Sequence, residues 1–142
     1  YKKSPYFKSY SGFFEEVYTR EWKYLSDLNE YMMRWFLKTL NIEVENYKSS
    51  DLPIEGKKSD LMLNMCKKLK ADVYISGSGA REYLKIGDFE KEKIPIYFQE
   101  YHHPVYPQLY GDFVPYMSIV DLMFNCGERS LEILMSGNTM KV

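Results

Sequence analysis

Residues 100–113 read EYHHPVYPQLYGDF and hold the densest group of side chains capable of chemistry in the chain: Glu100, His102, His103, Tyr106, Gln108, Tyr110 and Asp112. An imidazole beside a carboxylate is the usual equipment for moving protons in general acid–base catalysis. Neighbouring histidines in extended chain point opposite ways, so at most one of His102 and His103 can face a cleft, while Pro104 and Pro107 stiffen the segment. The other reading is a structured loop in which one histidine bonds to backbone and the other is solvated. No third ligand lies at a familiar metal-binding distance along the chain, so the pattern gives no metal site.

A second candidate is Asp121, set within the apolar run SIVDLMFN. A carboxylate there must find partners or shift its pKa. It either anchors a backbone amide or a tyrosine hydroxyl, or it lines a pocket, and Asn125, one turn later on the same face, can extend either role. The third candidate is ADVYISGSGAREYL (71–84), where Gly77 and Gly79 permit close backbone approach and positive φ. Amides of Ser78 to Arg81 and the Arg81 guanidinium can meet an anion there. The competing reading is a bare strand-to-helix turn. Both a full dinucleotide fingerprint and a Gly-Lys-Ser/Thr phosphate loop are absent, and no cofactor is identified.

These side chains need elements to hold them. Periodicity predicts helices over 11–20 and 25–40, with Leu25, Leu28, Met32, Trp35 and Thr39 in one stripe and a stop near Asn41, together a helical hairpin. NIEVENY (41–47) alternates and predicts a strand, followed by a turn-rich loop. SDLMLNMCKKLK (59–70) returns to helix period, with Ser59 as cap and its lysines near the carbonyl end. Strands are predicted over 72–76 and 94–101, the latter starting at Pro95. Between them REYLKIGDFEKEK predicts two short helices broken at Gly87, the second capped by Asp88. A buried helix over 115–127, stopped near Gly127, and a surface helix over 128–137 close the chain.

Strands separated by helical crossovers imply an α/β fold: a small three-stranded parallel β-α-β-α-β unit over 41–101, an N-terminal helical hairpin over 1–40, and a loop with C-terminal helices over 102–142, in a single domain. In such a unit the segments after the strands share one rim, where open α/β sheets bind ligands. That rim would gather residues 48–51, Ser76 to Gly79, and Glu100 to His103.

With 142 residues the chain can bury roughly two thirds of its unfolded surface, and 45% hydrophobic against 27% charged residues fits a folded globular protein. A net charge of −1 lacks the positive field that draws proteins to nucleic acid. No apolar run reaches the length of a membrane span, and the first residues lack the apolar core of a signal peptide, so the expected setting is the cytoplasm. Cys66 and Cys126, far apart in apolar helical patterns, are expected to be buried free thiols. The chain starts at Tyr1 with a helix already in progress, which suggests a fragment of a longer protein.

Three runs in order, His-Pro-x-Tyr-Pro-Gln, Gly-x-Phe-Val-Pro-Tyr and Ile-Val-Asp-Leu-x-Phe-Asn-x-Gly, together with GSGAREYL, resemble the WbqC-like family over most of 57–135. Members of that family are associated with bacterial O-antigen and other surface-polysaccharide gene clusters. The matching positions are Gly77, Gly79, Ala80, Tyr83, His103, Pro104, Tyr106, Pro107, Gln108, Phe113, Pro115, Asp121 and Asn125. A His-Gln-Pro-x-Tyr-x-Pro-Trp-like motif usual in a preceding segment is not in this sequence, so that segment of the same protein is an expected partner.

The resemblance implies a transferase step on a nucleotide-linked or lipid-linked sugar. His103 and Asp121 would be the catalytic pair, and Gly77, Ser78, Gly79 and Arg81 would hold phosphate. Glu100, Tyr106, Gln108 and Asn125 would contact substrate. The rival classes are a non-catalytic module that binds a sugar nucleotide or a partner enzyme, and a purely supporting domain.

Overall fold

The computed structural model describes residues 1–138, which fold as two compact units. The first joins residues 1–44 to 103–137, and the second contains 45–102. Helix and strand are mixed, with a small parallel sheet.

In the first unit α1 (Phe7–Thr19) and α2 (Leu25–Thr39) form the expected pair of helices. The stripe of α1 buries Phe14 and Val17, one helical turn apart. Phe13 stacks flat on Trp35 of α2 with ring centres 3.9 Å apart, and the Tyr31 hydroxyl donates to Glu16 Oε1 at 2.7 Å. Past α2 the amide of Asn41 reaches Lys38 O and that of Ile42 reaches Leu37 O. Asn41 takes φ of 55°, so the helix stops in a Schellman turn at the asparagine. α5 (Ile119–Cys126) ends at Gly127, as its glycine suggested, and α6 (Ser130–Ser136) follows a single 3₁₀ turn. Phe124 of α5 meets the rings of Tyr1, Phe7, Tyr10 and Phe14 at 5.0 to 6.4 Å.

The second unit holds α3 (Ser59–Lys68), β1 (Tyr74–Gly77), α4 (Ile86–Lys91) and β2 (Ile96–Gln99). β1 and β2 run parallel, in register from Tyr74 opposite Ile96 to Gly77 opposite Gln99. Beneath them Cys66, Ala80, Leu84, Phe89 and Ile94 form the core, with Phe89 fully buried and stacked on Tyr74. Helices α3 and α4 also end in Schellman turns, at Lys70 and Lys93, both at positive φ.

Several expectations are corrected. Two strands form among the described residues, not three. Residues 41–47 do not make a strand, because Ile42 is consumed by the end of α2 and Val44 stays exposed, leaving the alternation no face to bury. Ser59 is the first residue of α3 rather than its cap: its buried hydroxyl accepts the Lys85 amide at 2.9 Å, tying α3 to the start of α4. Gly87 and Asp88 lie inside α4, where Asp88 pairs with Lys91 instead of capping. The helix expected over 115–127 begins only at Ile119, since Tyr116 adopts φ of 61° and Ser118 takes the cap by accepting the Val120 amide.

Candidate functional site

Asp121 organises the first unit. It stands in the first turn of α5, where a helix N-terminus favours negative charge, and it is only 5% exposed. The Tyr106 hydroxyl and Gln108 Nε2 both donate to its Oδ2 at 2.9 Å, and Asn125 Nδ2 donates to Oδ1 at 3.2 Å and to the Asp121 carbonyl at 2.8 Å. The desolvation cost of a buried carboxylate is thereby met by neutral donors, each bond to the charge contributing about 1.5–3 kcal/mol. Tyr106, Gln108, Asp121 and Asn125, singled out separately in the sequence, are one hydrogen-bonded cluster.

The cluster also fixes a long loop without regular structure, residues 103–118. Gln108 donates to Val114 O at 2.9 Å and accepts the Val114 amide at 2.8 Å, so its side chain closes a ring around residues 109–113. Gly111 turns that ring at φ of 64°. Tyr106 is buried against Leu122 and Cys126, with Phe113 and Ile119 packed alongside. Burial, and then the Asp121 carboxylate, push the Tyr106 phenol up to about 12. Burial likewise pushes the Cys66 and Cys126 thiols up, and both cysteines are free and buried as expected.

A cavity of about 280 Å³ opens beside Asp121, lined also by Tyr1, Gln108, Tyr110, Val114 and Met117. The Tyr1 phenol is held above its ordinary value, by burial first and then by the carboxylate. Tyr1 and Met117 were not foreseen as site residues. Nothing in their local pattern marks them: long-range packing brings Tyr1 to the cavity, and Met117 lines it from the irregular stretch just ahead of α5.

His103 does not bond to Asp121. Its ring lies among Tyr116, Phe113 and Tyr106, with centres 5.1 to 6.0 Å away, and its Nδ1 is buried with no hydrogen-bond partner. His102 belongs to the second unit and is exposed.

In the second unit Ser78–Glu82 form a 3₁₀ helix after β1. Gly77 has φ of −70°, and neither Gly77 nor Gly79 adopts positive φ, so that expectation fails. A Cβ added at either glycine would meet nothing within 4 Å. The ends of the two strands do come together: Arg81 reaches Glu100 at 3.4 Å and lies over the Phe98 ring, 4.2 Å from its centre. Among the described residues no three metal-ligating side chains converge, and no helix is long and apolar enough to cross a membrane.

A helical body whose buried carboxylate holds a tyrosine- and proline-rich loop, with a two-stranded parallel α/β unit, is the class of protein these features define. The chain belongs to the WbqC-like protein family, whose model matches residues 1–133 and so reaches further toward the start than the motifs alone suggested. It is 31% identical over 123 residues to a Mycobacterium tuberculosis protein, "Uncharacterized protein Rv1507c". That alignment takes in 86% of this chain and 52% of the relative, so the chain spans about half the length of the curated relative it matches. No solved structure matches the chain.

Proposed function

We propose that the chain is the sugar-handling part of a cytoplasmic transferase that acts on a nucleotide- or lipid-linked sugar in bacterial surface-polysaccharide biosynthesis. The observation that carries this reading is the buried, unpartnered Nδ1 of His103. Leaving a buried polar atom unmade costs about 1–3 kcal/mol, and an aromatic ring would fill the same space among three other rings without that cost. A histidine kept there has a task beyond packing, and proton transfer to or from a sugar hydroxyl suits it.

In this reading Asp121 positions, through Tyr106 and Gln108, the loop that carries His103. Glu100 and Asn125 are substrate contacts in this reading, and Asn125 also holds Asp121. Within the second unit, Ser78–Glu82 is too short to present a strong helix end. What it offers a phosphate is the Arg81 guanidinium, steadied by Phe98 and exchanging Glu100 for the ligand, beside the open backbone of Gly77, Ser78 and Gly79.

The test uses cells lacking their own copy of the gene and complemented with the intact protein. Wild type restores the surface polysaccharide, while His103→Phe fails to restore it yet unfolds at the same or a higher temperature. Restoration by His103→Phe refutes the catalytic role. A second reading, a non-catalytic sugar-nucleotide module, is favoured by the absence of any His103–Asp121 bond. It would show as calorimetric binding of UDP-sugars with polysaccharide restored by His103→Phe.

A further inference from the structure

Asp121 is 5% exposed, yet its hydrogen-bond donors are neutral: the phenol of Tyr106 and the primary amides of Gln108 and Asn125. Among the described residues no lysine, arginine or histidine forms an ion pair with it. A carboxylate accepts about four hydrogen bonds; these donors take three, two of them on Oδ2, and the Tyr1 hydroxyl at the cavity wall, neutral as well, also bonds to it. The carboxylate lines the 280 Å³ cavity. Buried carboxylates are ordinarily paired with a cation, and among the described residues none faces this one at the wall of the cavity. The rest of the wall is supplied by the rings of Tyr1 and Tyr110 and the apolar side chains of Val114 and Met117. Aromatic faces beside a carboxylate suit a ligand cation, and the apolar surfaces suit the carbon skeleton that bears it.

We infer that the cavity beside Asp121 takes the protonated amine of an amino sugar, the ammonium pairing with Asp121 and the ring lying against Tyr1 and Tyr110. This rests on the sugar-handling reading above and narrows it to a substrate class. A neutral hydroxyl could bond to the same carboxylate but would leave it without a countercharge, so the amine is the better match to what the site lacks.

Calorimetry on the intact protein in mildly acidic buffer compares methyl glucosaminide, which carries the ammonium, with methyl glucoside, which does not. The glucosaminide binds tighter by about tenfold or more, the equivalent of one favourable charge contact. Tyr110 is largely exposed, so Tyr110→Ala leaves folding intact and lowers glucosaminide affinity by about two- to fivefold, as loss of a surface cation–π contact does. Asp121→Asn abolishes the preference where it folds, and Tyr110→Ala serves where it does not. Equal affinity for the two sugars, no binding of either, or insensitivity to Tyr110→Ala overturns the inference. If UDP-sugars still bind and His103→Phe still fails to complement, the broader reading survives that result. If both of those fail as well, it falls with the inference.

Discussion

Replacing Tyr106 with phenylalanine removes one oxygen from the centre of the network and little else. Tyr106 is 5% exposed, and its hydroxyl donates to Asp121 Oδ2 at 2.9 Å. A hydrogen bond to a buried charge contributes about 1.5–3 kcal/mol, and Tyr106→Phe is expected to lose that amount at neutral pH. Urea unfolding followed by tryptophan fluorescence reads it directly, since Trp22 and Trp35 both lie in the unit that contains Tyr106. The pH dependence gives an independent check. The phenol is raised from 10.0 to about 12 in the folded protein, so the folded state keeps its proton while the unfolded chain loses it. The resulting stability is fully present below pH 10 and is lost as the pH rises toward 12, at up to about 1.4 kcal/mol per pH unit. Wild type and Tyr106→Phe should therefore converge in stability across that window, every other phenol being common to both. A difference below about 0.5 kcal/mol at neutral pH, or parallel alkaline curves, would refute the bond and its role in holding the loop.

Gly127→Ala should be among the most damaging single changes. Gly127 has φ of 57°, and an added Cβ would fall 2.3 Å from the Tyr6 ring, so backbone strain and steric overlap combine to cost about 2 kcal/mol or more in a thermal or urea melt. A loss under 1 kcal/mol would show that Tyr6 does not pack there. Cys66 and Cys126, buried and with thiols pushed above their ordinary range, should react with a thiol reagent only in denaturant. Rapid reaction of either in native buffer would contradict its burial.

Much of the fold was legible because long apolar stripes at helical spacing admit few alternatives. The helices expected over 11–20, 25–40 and 59–70, the short strands after Asp72 and Pro95, and the stop at Gly127 all follow from local pattern, although α1 starts earlier, at Phe7. Errors arose where one residue had two competing partners. Ser59 has the chemistry of a cap, but a tertiary amide claims its hydroxyl. Ile42 fits a strand, but the Schellman turn of α2 claims it. Lys70 and Lys93 end helices at a φ that sequence rules reserve mainly for glycine, while Gly77 and Gly79 do not use theirs. Of the site, the anchoring of Asp121 by a tyrosine hydroxyl could be anticipated from the cost of burying a carboxylate. That Gln108 would fold its amide against the backbone of Val114 could not, because such a ring has no period to detect.

The Asp121 cluster also separates what packing explains from what it does not. Holding residues 103–118 in one conformation is expensive in chain entropy, at about 1–2 kcal/mol per residue, and this stretch has no helix or strand ladder to offset it. Tyr106, Gln108, Gly111, Phe113, Asp121 and Asn125 supply the missing bonds, turn and contacts. Their presence in the family motifs is thus accounted for by loop construction alone, and loss of activity on changing any of them would not distinguish chemistry from collapse. His103 is different. It makes ring contacts that phenylalanine could make as well, and it carries a buried nitrogen that the fold leaves unused. The physical case for a reaction at this site therefore rests on the one histidine whose polarity the fold does not need, and it is there that function and stability can be pulled apart by a single substitution.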